Sequence, residues 1–270
     1  MVLGGTLGFA IGPLYVTTAL LHWGLKGTLA LIVPVTFMTF VIMTQFSQFE
    51  FLEKNINRKE PSPSPAVKIL QDEWGPFVRL IVTAIGRSII FYGLNTFIPV
   101  YWINVLHESK AAGAAALTIF TGSGILGNLL GGPLADRFGQ KKIVLIGLSG
   151  LTLFLPMFVW VHDLHIATLL LIPIGIALYA TYSPTIELGQ DYLPNRIGLS
   201  SGVTLGIAVA VGGGAAPIIG RIADLYGIWF AFALVACLPV FTSSVAWTLP
   251  DPKGMDEKIG HKESLADGAG

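Results

Sequence analysis

Charge is scarce in this sequence: Asp, Glu, Lys and Arg make up 12% of its 270 residues, where a soluble domain carries roughly a quarter. A soluble fold of this size needs a polar exterior, and this composition excludes one. Charge of one sign is missing too, because 16 basic residues balance 16 acidic ones; nothing is left over to attract nucleic acid. The single cysteine, Cys237, lies inside an apolar run and excludes an internal disulfide framework. His107, His162 and His165 have no metal-ligand spacing, and His22 is isolated. There is no Ser/His/Asp grouping or carboxylate pair. The glycine-rich stretches lack the following Lys-Ser/Thr of a phosphate loop. These absences leave no basis for enzymatic activity, a bound metal or a cofactor.

What is present is apolar length. Hydrophobic residues make up 53% of the chain and the mean hydropathy is +0.71. A bilayer core needs about 20 apolar residues per helical span, and such runs occur at 2–22, 28–49, 77–105, 113–133, 143–161, 166–189, 199–220 and 228–249. They do not alternate as barrel strands would. The fold class expected is therefore all-α integral membrane, with about eight transmembrane helices. No Lys or Arg precedes Lys26, so the first run reads as a span and not as a signal peptide.

The loops alternate in charge. One set holds Lys54, Arg58, Lys59, Lys68, Arg137, Lys141, Lys142, Arg196, Lys253, Lys258 and Lys262; the other holds only Lys26, Lys110 and Arg221. The positive-inside rule assigns the first set to the cytoplasm. Both termini then lie inside, as an even number of spans requires. The expected protein is a multi-pass component of the inner (plasma) membrane whose surroundings are the lipid bilayer.

Residues 50–76 form the only long polar break, and prolines at every second position in EPSPSPAV favour an extended connector. It separates residues 1–49, with two spans, from residues 77–249, with six. Residues 250–270 form a polar tail expected to be disordered. One internal repeat is visible: GPLADRFG from Gly132 aligns with GRIADLYG from Gly220 at Gly, Ala, Asp and Gly. The two copies are separated by three spans, so they fall on opposite faces, as in the inverted repeats of transporters.

The loop GGPLADRFGQKK, from Gly131 to Lys142, sits between two uncharged runs. Its cations read as a cytoplasmic anchor. Gly-Gly-Pro is expected to allow close helix approach and to stop the helix. Asp136 is placed to accept hydrogen bonds at a neighbouring helix start, which makes it a candidate latch. Gly132, Asp136, Arg137, Gly139, Lys141 and Lys142, with Leu134, Ala135 and Phe138, resemble the loop signature of the major facilitator superfamily. In that family the signature lies between helices two and three and again between helices eight and nine, and the position of the connector makes this copy the second. Gly4, Gly5, Gly8, Gly12 and Pro13 resemble the glycine–proline motif of antiporters in helix five; close packing alone also explains Gly8, Gly12 and Pro13. The stretch from Gly189 to Gly206, followed by Gly212 to Gly214 and Pro217, is similar to the fosmidomycin-resistance branch of drug exporters.

The resemblance implies helices 5–12 of a twelve-helix fold, with helices one to four lacking a counterpart. It also implies a proton-driven antiporter that expels a small polar antibiotic by alternating access, with that molecule and protons as its partners, and a monomer at full length. A sugar or organic-acid importer of the same superfamily, or a membrane fragment that transports nothing, are the alternatives.

Inside the membrane, Arg87 stands out. It lies about ten residues into its span, where an arginine costs about 2.5–3.5 kcal/mol to insert. Thr83, Arg87, Phe91 and Asn95 recur at intervals of four and share one helix face, suited to an anionic group such as a phosphonate. The alternative is that Arg87 pairs with an acid for packing or reaches towards the cytoplasm beside Arg79. Glu187 follows, on a span that also carries Tyr179, Tyr182 and Pro184. Pro184 is expected to kink that helix. Glu187 is a candidate proton carrier if buried, or a solvated residue near the turn at Asn195.

Overall fold

A computed structural model describes residues 16–18, 20, 24, 32, 36, 39, 72–161 and 163–251. The chain forms two compact units, one over 14–70 and a larger one that includes 71–270. The first two expected spans, with Gly8, Gly12 and Pro13, the connector up to Gln71 and the tail beyond Asp251 lie largely outside the described residues.

The larger unit is all-helical among the described residues. Its elements are α1 (Trp74–Asn104), α2 (Lys110–Phe138), α3 (Gln140–Trp160), α4 (Leu164–Ala180), α5 (Tyr182–Tyr192), a 3-10 turn at Pro194–Arg196, α6 (Ile197–Ser201), a π-helical segment at Gly202–Ile207, α7 (Ala208–Tyr226) and α8 (Ile228–Trp247). With α4 joined to α5, and the run from the 3-10 turn to α7 taken as one, six helices are long and apolar enough to cross a membrane. Each coincides within a few residues with an expected run.

The physical logic is that of a protein dissolved in lipid. Leu153, Trp160, Ile146 and Leu169 point outward with 60% or more of their surface exposed, while Arg87, Thr83, Thr121, Ser200 and Thr242 are buried. Threonine hydroxyls are satisfied on their own helix: Thr83, Thr121, Thr152, Thr168 and Thr242 each donate to the carbonyl four residues earlier. That is the economical solution where no water is at hand. Ser109 and Asp163 cap α2 and α4, Asp163 Oδ1 accepting from the backbone N–H of His165 and Ile166 at 2.9 and 3.0 Å.

Close helix approach is concentrated where side chains are absent. A Cβ on Gly127 or Gly131 would strike the backbone of Ile176 or Ala180, so α2 and α4 touch along their main chains. Gly86 and Gly93 likewise let α8 close on α1, and Gly212 lets α7 close on Ser88. Helix α1 is consequently the central strut, packed against α2, α5, α7 and α8.

One sequence expectation needs correction. Gly-Gly-Pro does not stop α2, which runs through Pro133 to Phe138; the turn is confined to Gly139, whose φ of +100° favours glycine. Pro133 lies inside the helix, as prolines are tolerated in membrane spans. The break expected from Pro184 is present, three residues before it at Thr181. The internal repeat is structural as well: Gly139 and Gly227 both adopt positive φ, and their N–H groups donate to Ala135 and Ala223 at 2.8 and 2.9 Å. Each joins two antiparallel spans, one at either end of the bundle.

Candidate functional site

Helix α1 presents Thr83, Arg87, Phe91 and Asn95 on one face, as their spacing requires. Facing them are Tyr179, at the end of α4, and Tyr182, the first residue of α5. The break between these helices has a local cause. Pro184 has no N–H for the Ala180 carbonyl, and Thr181 takes a non-continuing conformation with its own N–H turned to Tyr179 O. Thr181 Oγ1 donates to Leu178 O at 2.7 Å and Thr185 Oγ1 to Thr181 O at 2.6 Å, so the hydroxyls on both sides of the break are satisfied by backbone carbonyls.

Arg87 is 9% exposed. Its guanidinium lies over the Tyr182 ring, 5.0 Å from the centroid, a cation–π contact strengthened by burial. Among the described residues no carboxylate pairs with it, and its Nε is buried without a hydrogen-bond partner. Pairing with an acid is not what the described residues show. Arg79 instead donates to Thr248 O at 2.5 Å.

Tyr179 is 6% exposed. Its ring stands edge-on to Phe91 and Phe120, with centroids 5.5 and 5.9 Å away, and lies where a Cβ on Gly124 would be. Its hydroxyl is buried with no partner of hydrogen-bonding geometry, although Asn95 and Arg87 are its polar neighbours. The Asn95 amide nitrogen donates to Phe91 O at 2.8 Å.

The structure therefore brings Arg87, Phe91, Asn95 and Tyr182 together and adds Tyr179, which the sequence had placed on the same span without a role. Glu187 is elsewhere. It is half-buried further along α5, accepting from Gln140 Nε2 at 3.4 Å and from Ser183 Oγ at 3.3 Å. It is thus neither fully solvated nor part of the Arg87 cluster. In the signature loop, Asp136 is exposed and accepts no hydrogen bond among the described residues. Arg137 lies over the Phe138 ring, 5.4 Å from its centroid, Lys141 Nζ pairs with Asp251 Oδ2 at 3.3 Å, and Lys142 is exposed beside it. A Cβ on Gly132 would meet only open space; the close approach belongs to Gly131. The described residues contain no grouping able to hold a metal ion.

The arrangement is a cluster of donors and aromatic rings with no anion of its own. Comparison with known proteins gives it a setting. A sequence profile described as Major Facilitator Superfamily matches residues 1–204. The chain is 26% identical over 261 residues to a fosmidomycin resistance protein of Escherichia coli strain K12, a match covering 94% of this chain and 62% of that protein. It is 28% identical over 269 residues to an uncharacterized MFS-type transporter, YfnC, of Bacillus subtilis strain 168, with the same 94% and 62% coverage. The chain thus spans 62% of the length of both relatives. Its fold is similar to that of a mutant peptide transporter crystallised with alafosfalin, with a TM-score of 0.56 at 18% identity over 72% of this chain and 44% of that one.

Proposed function

The chain belongs to the Major Facilitator Superfamily, and from that premise we propose that it serves as a proton-driven antiporter exporting a small polar antibiotic of the fosmidomycin kind. Alternating access in an inner membrane, with both termini cytoplasmic and the protein a monomer, completes the reading. The observation that carries it is Arg87, a buried guanidinium with no carboxylate beside it among the described residues. An uncompensated buried charge is costly, and an anionic substrate group is the partner that would offset that cost. Similarity to a fosmidomycin resistance protein supports a phosphonate as that group. Phe91, Asn95 and Tyr182 line the same place.

Glu187, held between Gln140 and Ser183, is the proton-carrying candidate. Residues 131–142 serve as anchor and latch: Lys141 and Lys142 hold the loop at the cytoplasmic face with Arg137. Asp136, without a partner in this arrangement, makes its contact in the opposite one. Gly8, Gly12 and Pro13 serve helix packing.

Growth on fosmidomycin tests the reading. Cells expressing the protein in its complete reading frame should tolerate the drug, and Arg87→Gln should abolish that tolerance at equal membrane abundance. Retained tolerance in Arg87→Gln would exclude the anion site. The pH profile of export should flatten in Glu187→Gln, and an unaltered profile would remove Glu187 from proton coupling.

A further inference from the structure

The Arg87 cluster contains a second unsatisfied donor, and its placement is more constrained than that of the arginine. Tyr179 is fixed on three sides: Phe91 and Phe120 meet its ring edge-on, and the third side is closed by Gly124, where any side chain would collide with the ring. A tyrosine so confined does not swing to find a partner, and among the described residues its buried hydroxyl has none. A buried hydroxyl left unpaired is destabilising, so its persistence beside an equally unpaired Arg87 Nε calls for one shared acceptor.

We infer that the Tyr179 hydroxyl and the Arg87 guanidinium form a two-point receptor for a single small oxyanion, a phosphonate, phosphate or carboxylate, with Gly124 as the residue that holds Tyr179 in place. This rests on the anion-binding reading of Arg87 and deepens it. Both groups present donors to the site: the guanidinium has no acceptor at all, and the tyrosine donates through its O–H. The receptor therefore prefers a fully deprotonated group over its neutral ester. Phe91 and Tyr182 wall the same place with ring faces and edges, which favours a compact substrate body with apolar surface next to the anion. Tyr182 covers one face of the guanidinium with its ring, which leaves the in-plane N–H edge, where the unpaired Nε lies, for the ligand.

The full chain, purified in detergent, is heated in the presence of methylphosphonate, of its neutral dimethyl ester, or of phosphatidylglycerol. Methylphosphonate should raise the melting temperature in a concentration-dependent way, and the ester should not. Tyr179→Phe, which removes only the hydroxyl, should weaken the methylphosphonate response by about tenfold or more. Gly124→Ala should weaken it in the same direction by displacing the ring. An unchanged response in Tyr179→Phe together with its loss in Arg87→Gln would overturn the two-point receptor while leaving the arginine site standing. Unchanged responses in both variants would remove both. Stabilisation by phosphatidylglycerol alone would assign the donors to a lipid headgroup and overturn a substrate receptor.

Discussion

The two ends of the six-helix unit are closed by opposite kinds of contact. At the end where α1 meets α2, closure is aromatic: Tyr101 packs on Phe158 and Phe232 with ring centroids 5.3 and 5.0 Å away, and Phe158 lies 6.0 Å from Trp102 and 5.7 Å from Phe232. All four side chains are essentially buried. At the end that carries Arg137, Lys141 and Arg196, closure is polar. Asp72 pairs with Arg196 at 3.4 Å and accepts from the Asn195 backbone and amide nitrogens at 3.2 Å. Arg196 lies over Trp74, Lys141 pairs with Asp251, and the Tyr192 hydroxyl donates to Pro250 O at 2.6 Å. Buried rings contribute in proportion to area and shape and resist separation. Exposed ion pairs are each worth about 0–1 kcal/mol and exchange readily for water. The basic end is therefore the one whose outer polar contacts part at lower cost, above the buried Phe77, Leu80, Tyr192 and Leu193. It is also the end nearer the break at Thr181, so the cluster of Arg87, Tyr179 and Tyr182 lies next to the helix half that is fastened least.

That contrast can be broken quantitatively by thermal unfolding in detergent. Phe158→Ala should show the largest effect, a loss of about 3–5 kcal/mol, because three neighbouring rings lose a partner and cannot all collapse into the gap. A loss below about 1 kcal/mol would mean that the aromatic end is not the tighter one. Tyr192→Phe, which deletes one hydroxyl at the basic end, should cost about 1 kcal/mol. Smallest of all, Asp72→Asn should cost at most about 1 kcal/mol, and the difference from the parent should shrink as salt is raised. A salt-independent loss would assign Asp72 a buried role in place of a surface clasp.

Much of this was legible before any coordinates. The spans from 77 to 249 follow from run length, since a helix in lipid must be apolar for its whole crossing, and the observed helices agree within a few residues. The repeat around Gly139 and Gly227 was visible as matching letters, and both glycines turn the chain with the same backbone geometry. The common face of Arg87, Phe91 and Asn95 followed from spacing by four. Gly-Gly-Pro misled because its grammar belongs to water-exposed helices. In the bundle Gly131 meets the Ala180 backbone and Pro133 rides inside α2. Gly124, Gly127 and Gly131 carried a small-residue spacing that signalled packing, but nothing in that spacing named the helix they would meet.

The sequence by itself determined that six helices after the connector are suited to lipid and that an arginine is committed to the interior, because both depend on local composition and period. Only the tertiary structure decided that Tyr179 faces Arg87, that Glu187 stands apart with Gln140, and that one end is sealed by rings and the other by ion pairs. Those facts depend on which helix lies against which, a choice made by close packing of glycines against backbone across long stretches of chain, and no local pattern encodes it.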